Sequence, residues 1–158
     1  MKPAGPPPLR PFGLVLHFDG NWTHEGEPVR NRKLRELFDR SVRYLPDERK
    51  FIVQVKQFRG EIEVEEAPFF VLEVDFANGS VRLSDRSWAE FWPETLSPSP
   101  IDGALLCRVK HDRVPGGLPA RFRHAAQAEL LLAVEEGEGG YGVRLSGRMR
   151  KLPEGLLV

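Results

Sequence analysis

From Glu61 to Phe76 the chain alternates charged and apolar residues, in the two runs EIEVEE and FFVLEVDF. Side chains two apart share one face of a strand. Glu61, Glu63 and Glu65 therefore point one way, and Ile62 and Val64 the other. In the second run Phe70, Leu72, Val74 and Phe76 lie opposite Glu73 and Asp75. Pro68 has no N–H for a ladder and marks an edge, a bulge or a turn between the runs. The pattern predicts two half-buried antiparallel strands, with Ile62, Val64, Phe70, Leu72 and Val74 in the core and Glu61 and Glu63 solvated. It argues against a carboxylate catalytic centre. General acid–base chemistry needs a setting that shifts a pKa, and three like charges on an open face supply none.

A chain of 158 residues with 41% hydrophobic side chains can build one domain or two small ones. Its 23 basic and 23 acidic residues cancel, which excludes a generic nucleic-acid or membrane binder. The charge is local instead. Residues 28–50 carry eight Lys/Arg against four acids, residues 51–76 two against six, and residues 108–123 five against one. Cys107 is the single cysteine, so no internal disulfide and no cysteine metal cluster can form. In the apolar run ALLCRVK it reads as a small buried hydrophobe, not a nucleophile. Residues 1–11 are proline-rich and lack a continuous apolar core, so they read as a disordered tail and not a signal peptide. No apolar run is long enough to span a bilayer, and a reducing, cytoplasmic compartment is the expectation.

Residues 12–84 read as a first α+β half. Short strands broken by Asp19-Gly20 and Glu25-Gly26 lead into NRKLRELFDRSVRYL. There Leu34, Leu37, Phe38, Val42 and Leu45 fall on one helical face behind an Asn31 N-cap, and Pro46 stops the helix. KFIVQV is the next strand, and Asn78-Gly79 is the strongest hairpin signal. Residues 85–100, with two of the three tryptophans and a Pro/Ser-rich end, read as the connection. Residues 101–158 read as a second half, with strands ALLCRVK and LPARF and a helix from about His124 to Glu135 on an Ala126, Leu130, Ala133, Val134 stripe. EEGEGG ends that helix, and YGVRLS and MRKLP are final strands. GEPVR before the first helix and GLPAR before the second echo one another. Together these features predict an α+β fold of two tandem related halves, each a small, mostly antiparallel sheet with one main helix.

Three blocks, DGNWTHEGEPV, EIEVEEAPFFVLEVD and GLPARF followed by AEL, resemble in order and spacing the bacterial family catalogued as domain of unknown function 1285. The resemblance runs from about Leu14 to Pro153. It implies two related α+β halves, the second superficially similar to a pleckstrin-homology-like fold. It also implies a ligand site between the halves, for a nucleotide-like molecule, and a role in signal transduction. The chain departs from the family pattern in its last strands, where Arg144, Arg148, Arg150 and Lys151 replace expected apolar and aromatic residues.

No GxSxG elbow, Walker A loop, GxGxxG fingerprint or HExxH pair occurs. His17, His24, His111 and His124 are scattered, so no metal and no cofactor are expected. EGEGGYG follows a helix instead of opening one, which denies a phosphate the helix N-terminus. The basic residues give the sharper expectation. Arg30 and Arg32, with Lys33, open the first helix, and Arg121 and Arg123 open the second. Facing one groove, they would form an anion site, with Trp22 or Tyr141 stacking on a base. Glu65 and Glu66 would instead make that groove a salt-bridge seam. The reading is a non-enzymatic ligand-binding or regulatory module for a small anionic or nucleotide-like ligand. The alternatives are a hydrolase-like enzyme using His24 with Glu25 or another carboxylate, and a protein-interaction scaffold using a sheet edge or the Trp-rich connection.

Overall fold

A computed structural model describes residues 10–157. Residues 1–9 of the expected tail lie outside them, and Arg10 and Pro11 open the first strand. The chain forms two compact units that divide between Pro68 and Phe69. No helix among the described residues is long and apolar enough to cross a membrane.

The first unit holds β1 (Arg10–Leu16), β2 (Trp22–His24), β3 (Glu27–Pro28), α1 (Arg32–Ser41), β4 (Val42–Leu45), β5 (Lys50–Val55) and β6 (Phe58–Val64). The strands form one sheet in the order β3-β2-β1-β6-β5-β4. All its pairs are antiparallel except β1 with β6. Leu14, Leu16, Trp22, Val42, Ile52, Val53 and Ile62 are buried. Asn31 caps α1 as expected, its side chain accepting the Leu34 N–H at 3.1 Å. The helix is shorter than its apolar stripe suggests. The Ser41 hydroxyl turns back onto the Leu37 carbonyl at 2.5 Å, a bond that competes with continued helix. Val42 is already extended, at φ −65 and ψ 130. Val42 to Leu45 then pair along β5 as an edge strand.

The second unit holds β7 (Phe69–Asp75), β8 (Ser80–Leu83), β9 (Trp88–Glu90), a 3-10 turn (Pro93–Thr95), β10 (Ser97–Pro98), β11 (Leu105–Val109), β12 (Leu118–Phe122) and α2 (His124–Leu132). Its six-stranded sheet runs β10-β11-β12-β7-β8-β9, with β12 and β7 the parallel pair. A separate antiparallel sheet follows, β13 (Val134–Gly137), β14 (Gly140–Leu145) and β15 (Arg148–Lys151). The Asn78-Gly79 hairpin forms as expected between β7 and β8, with Gly79 at φ 67. α2 ends at Leu132, short of the expected Glu135, and Val134 already opens β13, so EEGEGG is not its stop. That run makes the β13–β14 hairpin, in which Gly137 pairs with Gly140.

Two expectations change with this topology. The alternating runs are not partners: β6 pairs with β1 and β5, whereas β7 pairs with β8 and β12. The break between units therefore falls at Pro68, and residues 85–100 contribute β9 and β10 to the second sheet instead of linking two halves. The kinship of the units lies in strand order. Number the second sheet's strands from one, and its order read from the β9 edge is 3-2-1-6-5-4, the order of the first sheet. In both, the first and sixth strands form the parallel centre. The GEPVR and GLPAR echo does not follow this kinship. GEPVR holds strand three and leads into the connection to strand four, whereas GLPAR enters the sixth strand.

Candidate functional site

The first unit opens into a cavity of about 390 Å³ beside α1. Its floor is sheet: Leu14 of β1 and Val53 of β5 line it, and both are buried. Leu34 and Phe38 of α1 and Phe58 of β6 form walls, and Leu34 and Phe58 stay exposed at 39% and 55%. The rim carries His24, Glu27, Arg30 and Asn31. Mostly apolar walls with a few polar groups at one end are the usual make-up of a small-molecule site, and this volume falls within the usual range.

Trp22 fixes this wall from behind. It is buried, its indole N–H donates to Asp39 of α1 at 2.9 Å, and its ring lies 5.4 Å from that of Phe38. It therefore positions α1 and has no free face on which a base could stack. Arg30 is the expected site residue that lines the cavity. Arg32 lies one turn from Glu36 and pairs with it at 3.0 Å on the exposed side of α1. No acidic residue occupies the first turn, so Arg30, Arg32 and Lys33 add their charge to the positive end of the helix dipole. That is unfavourable for the isolated helix and favourable for an anion.

The other expected site residues belong to the second unit and serve separate local structures. Arg121 is buried, and its guanidinium donates to the Asp102 carboxylate. That bond, with the Ala104 N–H, holds the Asp102 carboxyl below its usual range. Arg123 is the N-cap of α2 and lies 5.3 Å from the Phe70 ring centre. Tyr141 is exposed on β14 in the three-stranded sheet, and with Met149 and Lys151 it lines another cavity.

One network escaped the sequence reading. His17 Nδ1 meets Glu65 at 2.9 Å, and its Nε2 meets the Thr23 hydroxyl at 2.9 Å. The order hydroxyl, imidazole, carboxylate is that of an activated nucleophile. None of the three lines the α1 cavity, and the contact ties the end of β1 to the end of β6, where the Glu65 N–H also bonds Leu16. His24 does line the cavity, but among the described residues no hydrogen bond joins it to a carboxylate. No group of three His, Cys, Asp or Glu able to hold a metal occurs among the described residues. Cys107 is fully buried, and burial pushes its thiol up to about 12.

Fold and site together define a two-unit α+β protein whose first sheet and helix line an apolar cavity with a polar rim that includes Arg30 and Glu27. No family model matches the chain, and no curated protein matches it. Among solved structures, a DUF1285 family protein from Silicibacter pomeroyi DSS-3 is similar, with 21% identity, 96% of this chain and 89% of that one covered, and a TM-score of 0.64. A DUF1285 family protein from Shewanella baltica OS155 matches with 16% identity over 76% of this chain and 91% of that one, at a TM-score of 0.49. The fold is thus DUF1285-like, the family that the sequence blocks resemble.

Proposed function

We propose that the chain is a non-enzymatic ligand-binding or regulatory module whose α1 cavity takes a small molecule with an apolar body and an anionic head. The observation that carries this reading is the pairing of apolar walls, Leu34, Phe38 and Phe58, with Arg30 at the rim beside the positive end of α1. The walls favour a hydrocarbon body over a nucleotide, since a base and ribose need more hydrogen-bonding partners than this lining offers. Glu27 on the same rim selects for an anion small enough to reach Arg30 without meeting the carboxylate. On this reading the ligand is held and read instead of converted.

A thermal-shift and calorimetric comparison of decanoate, decanol and AMP tests the reading. A ligand that binds only the folded state raises the melting temperature with concentration. Decanoate should do so, decanol should bind at least about tenfold more weakly, and AMP should do little. Arg30→Glu should abolish the decanoate response without lowering the unliganded melting temperature. Equal binding of decanoate and decanol, or preferential binding of AMP, sinks the proposal.

A further inference from the structure

The repeated strand order gives the second unit a cavity in the equivalent place. The α1 cavity is built from the third strand, the connection from strand three to strand four, and the strands of the five–six hairpin. In the second unit the corresponding parts are β9, the segment containing Trp92, and the five–six hairpin, which here contributes its loop after β11 instead of its strands. They line a cavity of about 570 Å³. The lining has different chemistry, and from it we propose a carbohydrate site, one that takes the ring of a neutral pyranoside.

Lys110 and Ser87 give the lining a polar patch. Lys110 Nζ lies 2.9 Å from Asp85 and 3.2 Å from the Ser87 hydroxyl, over the Phe69 ring, with both charged side chains largely buried. A hydrocarbon body is disfavoured against such a patch, since it offers no hydrogen bonds in place of water. The Trp88 side chain also lines the cavity and remains 51% exposed, an unusual degree for the largest apolar side chain. Trp92 is held beside it by a parallel stack on His111, 3.7 Å between centroids. The His111 ring is fixed in turn by the Arg108 carbonyl at 2.9 Å.

Around these rings stand Glu90, Asp112 and Arg113, whose side chains make no ion pair among the described residues. Two acceptors and one donor fork near a flat apolar surface suit a ligand that is apolar on one face and hydroxylated around its edge. A sugar ring has that form: its axial C–H face packs on an indole while its hydroxyls both donate and accept. An anion would meet Glu90 and Asp112, and a quaternary ammonium would meet Arg113. The mixed signs leave a neutral polyol as the class that meets no like charge across the cavity.

The experiment titrates the full chain with maltotriose, N-acetylglucosamine, choline chloride and AMP, following tryptophan fluorescence and the Trp88 indole N–H resonance. At least one saccharide should give a saturable change that moves the Trp88 signal, with choline and AMP giving none. Trp88→Ala should weaken saccharide binding about tenfold or more, the size of effect an aromatic platform has for a stacked ring. Asp112→Ala, at an exposed loop position that no packing depends on, should weaken it as well. Arg30→Glu should leave it unchanged, so failure here and failure of the α1 reading are separate results. The proposal is overturned if neither saccharide gives a saturable response, if choline or AMP moves the Trp88 signal at lower concentration, or if both second-unit variants bind like the wild type.

Discussion

Trp22 joins packing, hydrogen bonding and site geometry in one side chain. Its ring fills the space between β2 and α1, its indole N–H engages Asp39, and its edge holds Phe38 at the cavity wall. Trp22→Ala should cost about 3–5 kcal/mol, the range for truncating a buried aromatic. Trp22→Phe keeps most of the ring and should cost less, while still weakening ligand binding at the α1 cavity through a looser Phe38. Urea unfolding of both variants checks this, and equal losses would show that the indole hydrogen bond dominates the packing. Single residues were legible in the sequence where their neighbours in the chain decide their setting. Cys107 sits in an apolar strand and is buried, and Arg30 precedes a helix and lies at its positive end. His17 was not legible, because its partner Glu65 is 48 residues away and only the parallel pairing of β1 with β6 joins them.

Elements were legible in kind and less so in detail, and β7 shows the physical reason. Strict alternation places Phe70, Leu72 and Val74 on one buried face. The pairing with β8 shifts register between Val71 and Glu73, and an extra residue of this sort reverses which side chains point inward beyond it. Phe69, Phe70, Val71 and Val74 are buried, while Leu72 is only half-buried. Alternation cannot reveal a bulge, since the bulge depends on the partner strand. Val71→Ala should therefore cost about 2 kcal/mol, near the value for losing a buried branched side chain. Leu72→Ala should fall below the ~2–5 kcal/mol of a fully buried leucine, even though it removes more atoms. Paired urea midpoints decide it, and a Leu72→Ala loss clearly larger than that of Val71→Ala contradicts the bulge account. The early end of α1 has a similar origin: the helical stripe continues through Val42 and Leu45 in sequence, but the free edge of β5 takes those residues instead.

At the scale of the whole chain, the α+β class and the tandem organisation could be read from the sequence, and the correspondence between the units could not. The echo before the two helices aligns different parts of the repeat, because strand order is a long-range property that short motifs do not encode. Asp75, Asp85 and Asp102 of the second unit have carboxyls held below their ordinary range. The Asn78 side-chain amide lowers Asp75, and the Arg121 guanidinium lowers Asp102. For Asp85 burial is the largest influence and acts upward, but hydrogen bonds from Ser87 and Lys110 and the Lys110 charge together outweigh it. A carboxyl with a depressed folded pKa adds stability that is complete above its unfolded value, 3.8. That stability is lost as pH falls below this value and through the folded one. The second unit should therefore lose stability in acid. Two variants report the units separately: Trp88→Phe with Trp92→Phe leaves Trp22 as the only fluorophore, and Trp22→Phe with Trp88→Phe leaves Trp92. Between pH 5 and about pH 2.5 the urea midpoint followed by Trp92 should drop, with Trp22 as the first-unit comparison. Adding Asp85→Asn should shrink the drop seen by Trp92, since an amide does not titrate. A drop in the Trp92 midpoint that Asp85→Asn leaves unchanged would mean that Asp85 does not govern the second unit's response to acid.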